Sequence, residues 1–170
     1  RTLMQLGGLD HDQPRVFPLS TTHGGQTHAL AAALAGMQIY CEQPVIETLR
    51  RQGERLAKGV GQAVQRHGLQ DHVGVAGHPA NLVYYTLDEG GQPSQAFRSL
   101  FIQELVRRGV LAPSFVVSYS HTDDDVDQTI DAVDGALSVY RRALSDGVDN
   151  YLVGRPSQVV FRKYNRRRTF

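Results

Sequence analysis

The chain has 170 residues, of which 41% are hydrophobic, enough for one domain with a core or for two unequal pieces. Its formal net charge of +1 provides no overall attraction to nucleic acid or to an anionic membrane. Cys41 is the only cysteine, which excludes an intramolecular disulfide and a cysteine metal cluster. No apolar run approaches membrane-spanning length and no signal-peptide pattern opens the chain, so we expect a cytoplasmic protein without a membrane partner.

Two helices are predicted in the first part of the chain. A short strand over 16–19 leads into a turn at 20–25, and a helix of small residues follows from about Thr27 to Glu42. Pro44 breaks this pattern, and apolar residues at three-to-four spacing then predict a long amphipathic helix from Val45 to His67. Its buried stripe is predicted to contain Ile46, Leu49, Gly53, Leu56, Val60 and Val64.

Strand and helix patterns alternate after residue 68. Two strand-like runs, Val73–Ala76 and Leu82–Leu87, flank a Gly-His-Pro turn. A helix from about Ser94 to Arg108 is predicted to stop at Gly109, with Phe97, Leu100, Phe101 and Leu105 on its buried side. One or two short strand pieces, broken at Pro113, are predicted next.

The last helix has the clearest local signal. Thr122 followed by Asp125 predicts a capping box, and Asp123 and Asp124 add negative charge beside the positive end of the helix dipole. The order of elements predicts an α+β fold in which helices cover a small antiparallel sheet. The buried stripe of this last helix is predicted to be Val126, Ile130, Val133, Leu137, Tyr140 and Leu144.

The segment "STTHGGQTHALAAALA", Ser20 to Ala35, places hydroxyls and glycine amides at the start of a helix. Such groups suit a phosphate, because the positive end of a helix and free backbone N–H groups attract anions. A simple helix cap explains the same residues, and spacing leaves both interpretations open.

The residues give little support for a metal site or for nucleic-acid binding. His23 and His28 are five positions apart and lack a suitably spaced acidic ligand, so a metal site is not predicted. The arginines at 166–168 are typical of a solvated terminus, and no nucleic-acid partner is predicted.

Four motifs, in order, resemble a known family. "STTHGGQTHALAAALA" resembles the S-T-F-G-G-N-P segment and alanine-rich helix of class III, fold type I pyridoxal-phosphate aminotransferases. "NLVYYTLD", "LVRRGVLAPS" and "SYSHTDDDVDQTIDAVDGAL" resemble the C-terminal region of its glutamate-1-semialdehyde aminomutase branch. The resemblance runs from about Val16 to Leu144. It implies the last strand and helix of the large cofactor-binding domain over 1–44, the small C-terminal domain over 45–155 and a basic tail over 156–170.

The resemblance also implies a cofactor and a site. In that family the threonine of the first motif hydrogen-bonds the phosphate of pyridoxal 5'-phosphate in the neighbouring subunit of a homodimer. The matching residue is Thr22, with Thr21, Gly24 and Gly25 beside it. The family's aromatic, asparagine and proline are replaced here by His23, Gln26 and Thr27.

The lysine that bonds covalently to the cofactor lies upstream of this segment in the family. The chain has two lysines, Lys58 and Lys163, and neither has the family's surrounding motif. The chain therefore resembles the C-terminal two-fifths of an enzyme, with no catalytic residue of its own and no expected activity alone. Arg108 and Ser114 are candidates for the substrate side.

The reaction class is predicted from a short segment. Between the "APS" and "HT" motifs, Phe115–Ser120 lacks the extra residues and the glutamate that aminomutases of this branch carry. This favours an aminotransferase acting between an amino donor and a keto acid or aldehyde. Two alternatives remain, namely glutamate-1-semialdehyde 2,1-aminomutase and a non-catalytic dimerisation module derived from the small domain.

Overall fold

A computed structural model of the chain describes residues 25–157. The chain divides into two compact units, Arg1–Pro44 and Val45–Phe170. The strand predicted over 16–19 lies outside the described residues, as does most of the tail predicted over 156–170.

The first unit contains helix α1, Thr27–Glu42, with the predicted bounds. Its alanines favour helix because they lose no side-chain entropy on folding. None of its residues is buried. The large apolar side chains of α1 that are exposed to solvent are Leu30, Leu34, Met37, Ile39 and Tyr40.

The second unit opens with helix α2, Val45–Arg66, which begins directly after Pro44. Gly53, Leu56, Val60 and Val64 are buried as predicted, whereas Ile46 is 64% exposed and its place in the stripe was predicted wrongly. The helix instead buries its first residue, Val45, and the polar Gln52.

The sheet has three antiparallel strands in the order β1-β2-β3: Val73–His78, Asn81–Thr86 and Phe115–Val116. Strand β2 alternates strictly, with Leu82, Tyr84 and Thr86 buried and the residues between them exposed. Its hairpin register pairs Val73 with Thr86. The sheet therefore presents one face to the core.

Helix α3, Gln95–Arg107, follows the predicted pattern and buries all four predicted apolar residues. Ser94 caps its N-terminus by accepting a hydrogen bond from the Phe97 N–H. After the helix the chain turns at Gly109, whose φ of +80° favours glycine.

Helix α4, Asp123–Asp146, forms the predicted capping box between Thr122 and Asp125. Within its predicted stripe, Val126, Val133, Leu137 and Tyr140 are buried, and Ile130 and Leu144 are half-buried against the core. A short 3-10 turn, Val148–Asn150, follows Gly147. Helices packed on a small antiparallel sheet confirm the predicted α+β class.

Candidate cofactor-binding site

The start of α1 is the part of the predicted phosphate site that the structure describes. Gly25 lies in an exposed turn, and a Cβ placed there would meet no atom of the described residues within 4 Å. The first turn of α1 carries no acidic residue that would repel an anion. Since the positive end of a helix attracts anions, the chemistry of this helix start is compatible with a phosphate group. Thr21, Thr22 and Gly24 lie outside the described residues, so the site itself stays a prediction.

In the second unit, the segment that contains the "HT" motif is held by a buried side chain. Gln52, 1% exposed, donates from Nε2 to the His121 carbonyl at 3.3 Å and to Asp123 Oδ1 at 2.7 Å. Because both neighbours are acceptors, they fix the orientation of the amide. Its Oε1 has no hydrogen-bond partner among the described residues. Gln52 therefore ties the start of α4 to α2.

His121 forms a hydrogen bond within the same turn, to Ser118. Its Nδ1 accepts a hydrogen bond from the Ser118 N–H at 3.1 Å, which places the proton of the neutral ring on Nε2. Thr122 donates from its N–H and its hydroxyl to Asp125 Oδ2, and these two bonds hold the pKa of Asp125 below its usual value.

A cavity of about 260 Å³ borders the same segment. Apolar side chains of α2, β3 and α4 form part of its wall, and Ser114 and His121 contribute polar groups. Ser114 thus lies where a small molecule has room, although its predicted place on the substrate side stays a prediction. The other polar side chains lining the cavity are Asp125, Gln128 and Thr129.

Arg108, the other predicted substrate-side residue, forms hydrogen bonds to Glu104 within the second unit. Its Nη1 donates to Oε2 of Glu104 at 2.7 Å and to the Glu104 carbonyl at 2.8 Å. A Cβ on Gly135 would lie 2.2 Å from Arg108 Nε, so α4 leaves room for the guanidinium only because that residue is glycine. Arg108 therefore stabilises the end of α3 against α4.

Glu104 itself is 3% exposed and also accepts from Arg107 Nη1 at 2.7 Å. Burial alone would raise the pKa of this carboxyl, but hydrogen bonds from Arg108 and Gln103 and the two arginine charges outweigh it and lower the pKa. Neither Glu104 nor Gln52 is among the functional residues predicted from the sequence. For Gln52 a signal existed, because it lies three residues after Leu49 and four before Leu56 on the same helical stripe.

Of the two lysines, the structure describes only Lys58. Lys58 is exposed on α2, and Lys163 lies outside the described part of the chain. Across residues 25–157, no cluster of histidine, cysteine, aspartate or glutamate is suited to bind a metal ion. None of the helices in that range is both long and apolar enough to cross a membrane.

Comparisons with known proteins identify relatives of this chain, although no protein-family model matches it. Glutamate-1-semialdehyde 2,1-aminomutase of Akkermansia muciniphila is 29% identical over an alignment of 127 residues, and the match covers 69% of this chain and 30% of that protein. Glutamate-1-semialdehyde 2,1-aminomutase 1 of Bacillus cereus is 25% identical over 127 residues, with coverage of 69% and 29%.

A solved structure agrees with these matches. The FumI protein of Sphingopyxis sp. MTA144, in its PLP internal aldimine form, superposes with a TM-score of 0.58 and 30% identity. The match covers 69% of this chain and 28% of FumI. The chain thus spans about 30% of the length of its curated relatives. These similarities confirm the predicted resemblance: over 69% of its length the chain is similar to glutamate-1-semialdehyde 2,1-aminomutases and to the pyridoxal-phosphate protein FumI, which is consistent with a C-terminal portion of a class III pyridoxal-phosphate enzyme.

Proposed function

We propose that this chain is the C-terminal part of a pyridoxal-phosphate aminotransferase, which moves an amino group from an amino donor to a keto acid or aldehyde. The observation that carries the cofactor is the similarity to FumI, a protein solved in its PLP internal aldimine form, at 30% identity and a TM-score of 0.58. The choice of an aminotransferase rests on the acid-free segment Phe115–Ser120. When bound, pyridoxal phosphate supplies the electron sink that amino-group chemistry needs. The lysine that holds it covalently comes from polypeptide outside these 170 residues.

This chain's own contribution is to hold the cofactor's phosphate. Thr22 would donate a hydrogen bond from its hydroxyl to the phosphate, and Thr21 and the amides of Gly24 and Gly25 would complete the cradle. The acid-free first turn of α1 supports this role, since the helix dipole then acts on the phosphate without a competing carboxylate.

The phosphate contact is made across a homodimer in this proposal. The exposed surface of α1 supports a larger assembly, because Leu34 is 67% exposed and Met37 61% exposed on a helix that buries none of its residues. Helices that are apolar on all sides belong in protein interiors. We therefore infer that α1 is covered by the remainder of the enzyme and by its neighbouring subunit.

A glutamate-1-semialdehyde 2,1-aminomutase is the second candidate, favoured by the names of the curated relatives. The acid-free segment Phe115–Ser120 favours the aminotransferase instead. Two residues of that segment form β3, and the other four lead to His121. None of the six is acidic, so the segment offers no carboxylate to a substrate amino group.

Substrate stoichiometry distinguishes the two reactions. An aminotransferase without a keto acceptor consumes one equivalent of amino donor per site and stops, because the amino group has nowhere to go. An aminomutase needs no second substrate and continues. We expect the complete enzyme, loaded with cofactor, to stop at one equivalent and to resume when a keto acid is added. Sustained isomerisation of glutamate-1-semialdehyde without an acceptor would instead establish the aminomutase.

Replacing Thr22 by valine tests the phosphate cradle. Loss of a hydrogen bond to a charged group is worth about 1.5–3 kcal/mol, so the dissociation constant for pyridoxal phosphate should rise by roughly tenfold to a hundredfold. Cofactor retained after dialysis of the complete enzyme is the measurement. Thr22→Ser keeps the hydroxyl and should retain the cofactor, and Thr48→Val on α2 should change nothing.

Two results would contradict this account. Equal retention by the Thr22→Val and Thr22→Ser variants would remove Thr22 from the cradle. Failure of the complete wild-type polypeptide to bind pyridoxal phosphate at all would favour the non-catalytic dimerisation module.

A further inference from the structure

The chain after α4 returns along the outer side of α3. Val148, Tyr151 and Leu152 pack against the core and anchor this return. From Val153 to Ser157 the side chains are exposed or half-buried, and Val153 is 75% exposed. This last segment is therefore held by something other than apolar burial.

Polar side chains of α3 hold its main chain. Gln103 donates from Nε2 to the Tyr151 carbonyl at 2.9 Å and accepts from the Val153 N–H at 2.7 Å. Ser99 Oγ accepts from the Ser157 N–H at 2.8 Å, and the Ser157 hydroxyl donates to Gln95 Oε1 at 3.2 Å. Ser99 Oγ also donates to the Ser157 hydroxyl at 3.0 Å. The N–H groups of Val153 and Ser157 are thus held without use of side chains of the segment, and the Ser157 hydroxyl adds two further bonds.

The three side chains form one line on the helix. Gln95, Ser99 and Gln103 are spaced at four-residue intervals, which places them on the same face. Eight residues of helix rise about 12 Å. The two side chains that bond to the N–H groups of Val153 and Ser157 are Gln103 and Ser99, which lie about 6 Å apart along the helix. A fully extended chain from Val153 to Ser157 would span about 13 Å, so the segment has to bend to make both contacts.

The residues of the segment favour this bent, non-helical path. Pro156 has a restricted φ, and a proline also disfavours the helical region for the residue before it, Arg155. Gly154 has a φ of +89°, a conformation that permits the chain to turn after the anchor. Both features lower the free-energy cost of ordering the segment on α3.

We propose that residues 153–157 form a reversible strap. Gln95, Ser99 and Gln103 build its docking site on α3, which the strap enters and leaves while the rest of the unit stays folded. The occupant is the chain's own segment. Because the strap buries no large side chain, its release exposes little apolar surface and requires less free energy than global unfolding.

Amide hydrogen exchange of the full chain tests the proposal residue by residue. In the wild type, the Val153 and Ser157 amides should exchange more slowly than in an unstructured peptide but faster than the amides of α4. Gln103→Ala should accelerate both by roughly tenfold or more, since it removes two hydrogen bonds to the returning chain of about 1 kcal/mol each, besides its bond to Glu104. Gln65→Ala, the same change on an exposed position of α2, should leave both unchanged.

Side-chain variants separate main-chain recognition from ordinary packing. Val153→Ala and Arg155→Ala should leave the protection intact, because neither removes a main-chain contact. Acceleration by either variant as large as that of Gln103→Ala would overturn the proposal. Exchange of these amides at the unstructured rate, or only together with global unfolding, would overturn it as well. Protection that increases with protein concentration would assign the site to a second copy's strap and contradict the occupant stated here.

Discussion

Gly53→Ala should destabilise the second unit by about 3 kcal/mol, at the upper end of the cost of overpacking a core. An added Cβ would lie 1.9 Å from the Pro79 carbonyl oxygen and 2.9 Å from its Cα, and both are backbone atoms that cannot rotate away. Either α2 or the β1–β2 turn must move. Denaturant unfolding followed by circular dichroism gives the change in free energy.

A second glycine of α2 provides a control that should change the free energy of unfolding in the opposite direction. A Cβ on Gly61 meets no atom within 4 Å, so Gly61→Ala changes only backbone entropy and helix propensity. It should stabilise the unit by about 0.5–1 kcal/mol. If both variants shift stability in the same direction, the close approach of α2 to Pro79 is not present in solution.

Glu104→Gln should cost about 2–3 kcal/mol, below the usual range for breaking a buried ion pair because its arginine partners keep some contact with water. The amide cannot balance the charges of Arg107 and Arg108, whose side chains are 53% and 33% exposed. The measurement is again the free energy of unfolding near neutral pH. Glu54→Gln, which breaks the exposed pair with Arg50, should have no measurable effect.

The Glu104 contribution also depends on pH in a defined direction. Its folded-state pKa is lowered, so the unfolded state takes up a proton first as the pH falls. The stabilisation is therefore full above its usual value of about 4.5 and is lost as the pH drops through the folded-state pKa. Wild type and Glu104→Gln should converge in stability at low pH. A constant difference down to the acid transition would contradict this assignment.

Local patterns predicted the elements of the second unit because those elements follow local rules. Thr122 and Asp125 are three residues apart, and their capping box depends only on the backbone between them. The alternation in β2 and the apolar stripe of α3 follow from the periodicity of strand and helix. The bounds of α1 likewise follow from its small residues and the proline after it.

Local patterns were less reliable where the partner came from far along the chain. Ile46 fits the helical stripe of α2 but is exposed among the described residues, whereas Val45 beside it is buried. Strand β3 is limited to Phe115–Val116, since only those residues pair with β2. Gln52 lies on the apolar stripe of α2, but its hydrogen-bond partner, the His121 carbonyl, is 69 residues away in the chain.

By itself, the sequence determined the order of elements, the α+β class, the capping box of α4 and the resemblance to pyridoxal-phosphate enzymes. All of these depend on residues close together in the chain or on motifs in fixed order. Only the tertiary structure decided that Glu104 is buried, that Gly53 lies against Pro79 and that Gln103 holds the returning chain. The arginine partners of Glu104 are three and four residues away on the same chain segment, but its burial and the other two contacts depend on segments brought together by packing, which no local spacing encodes.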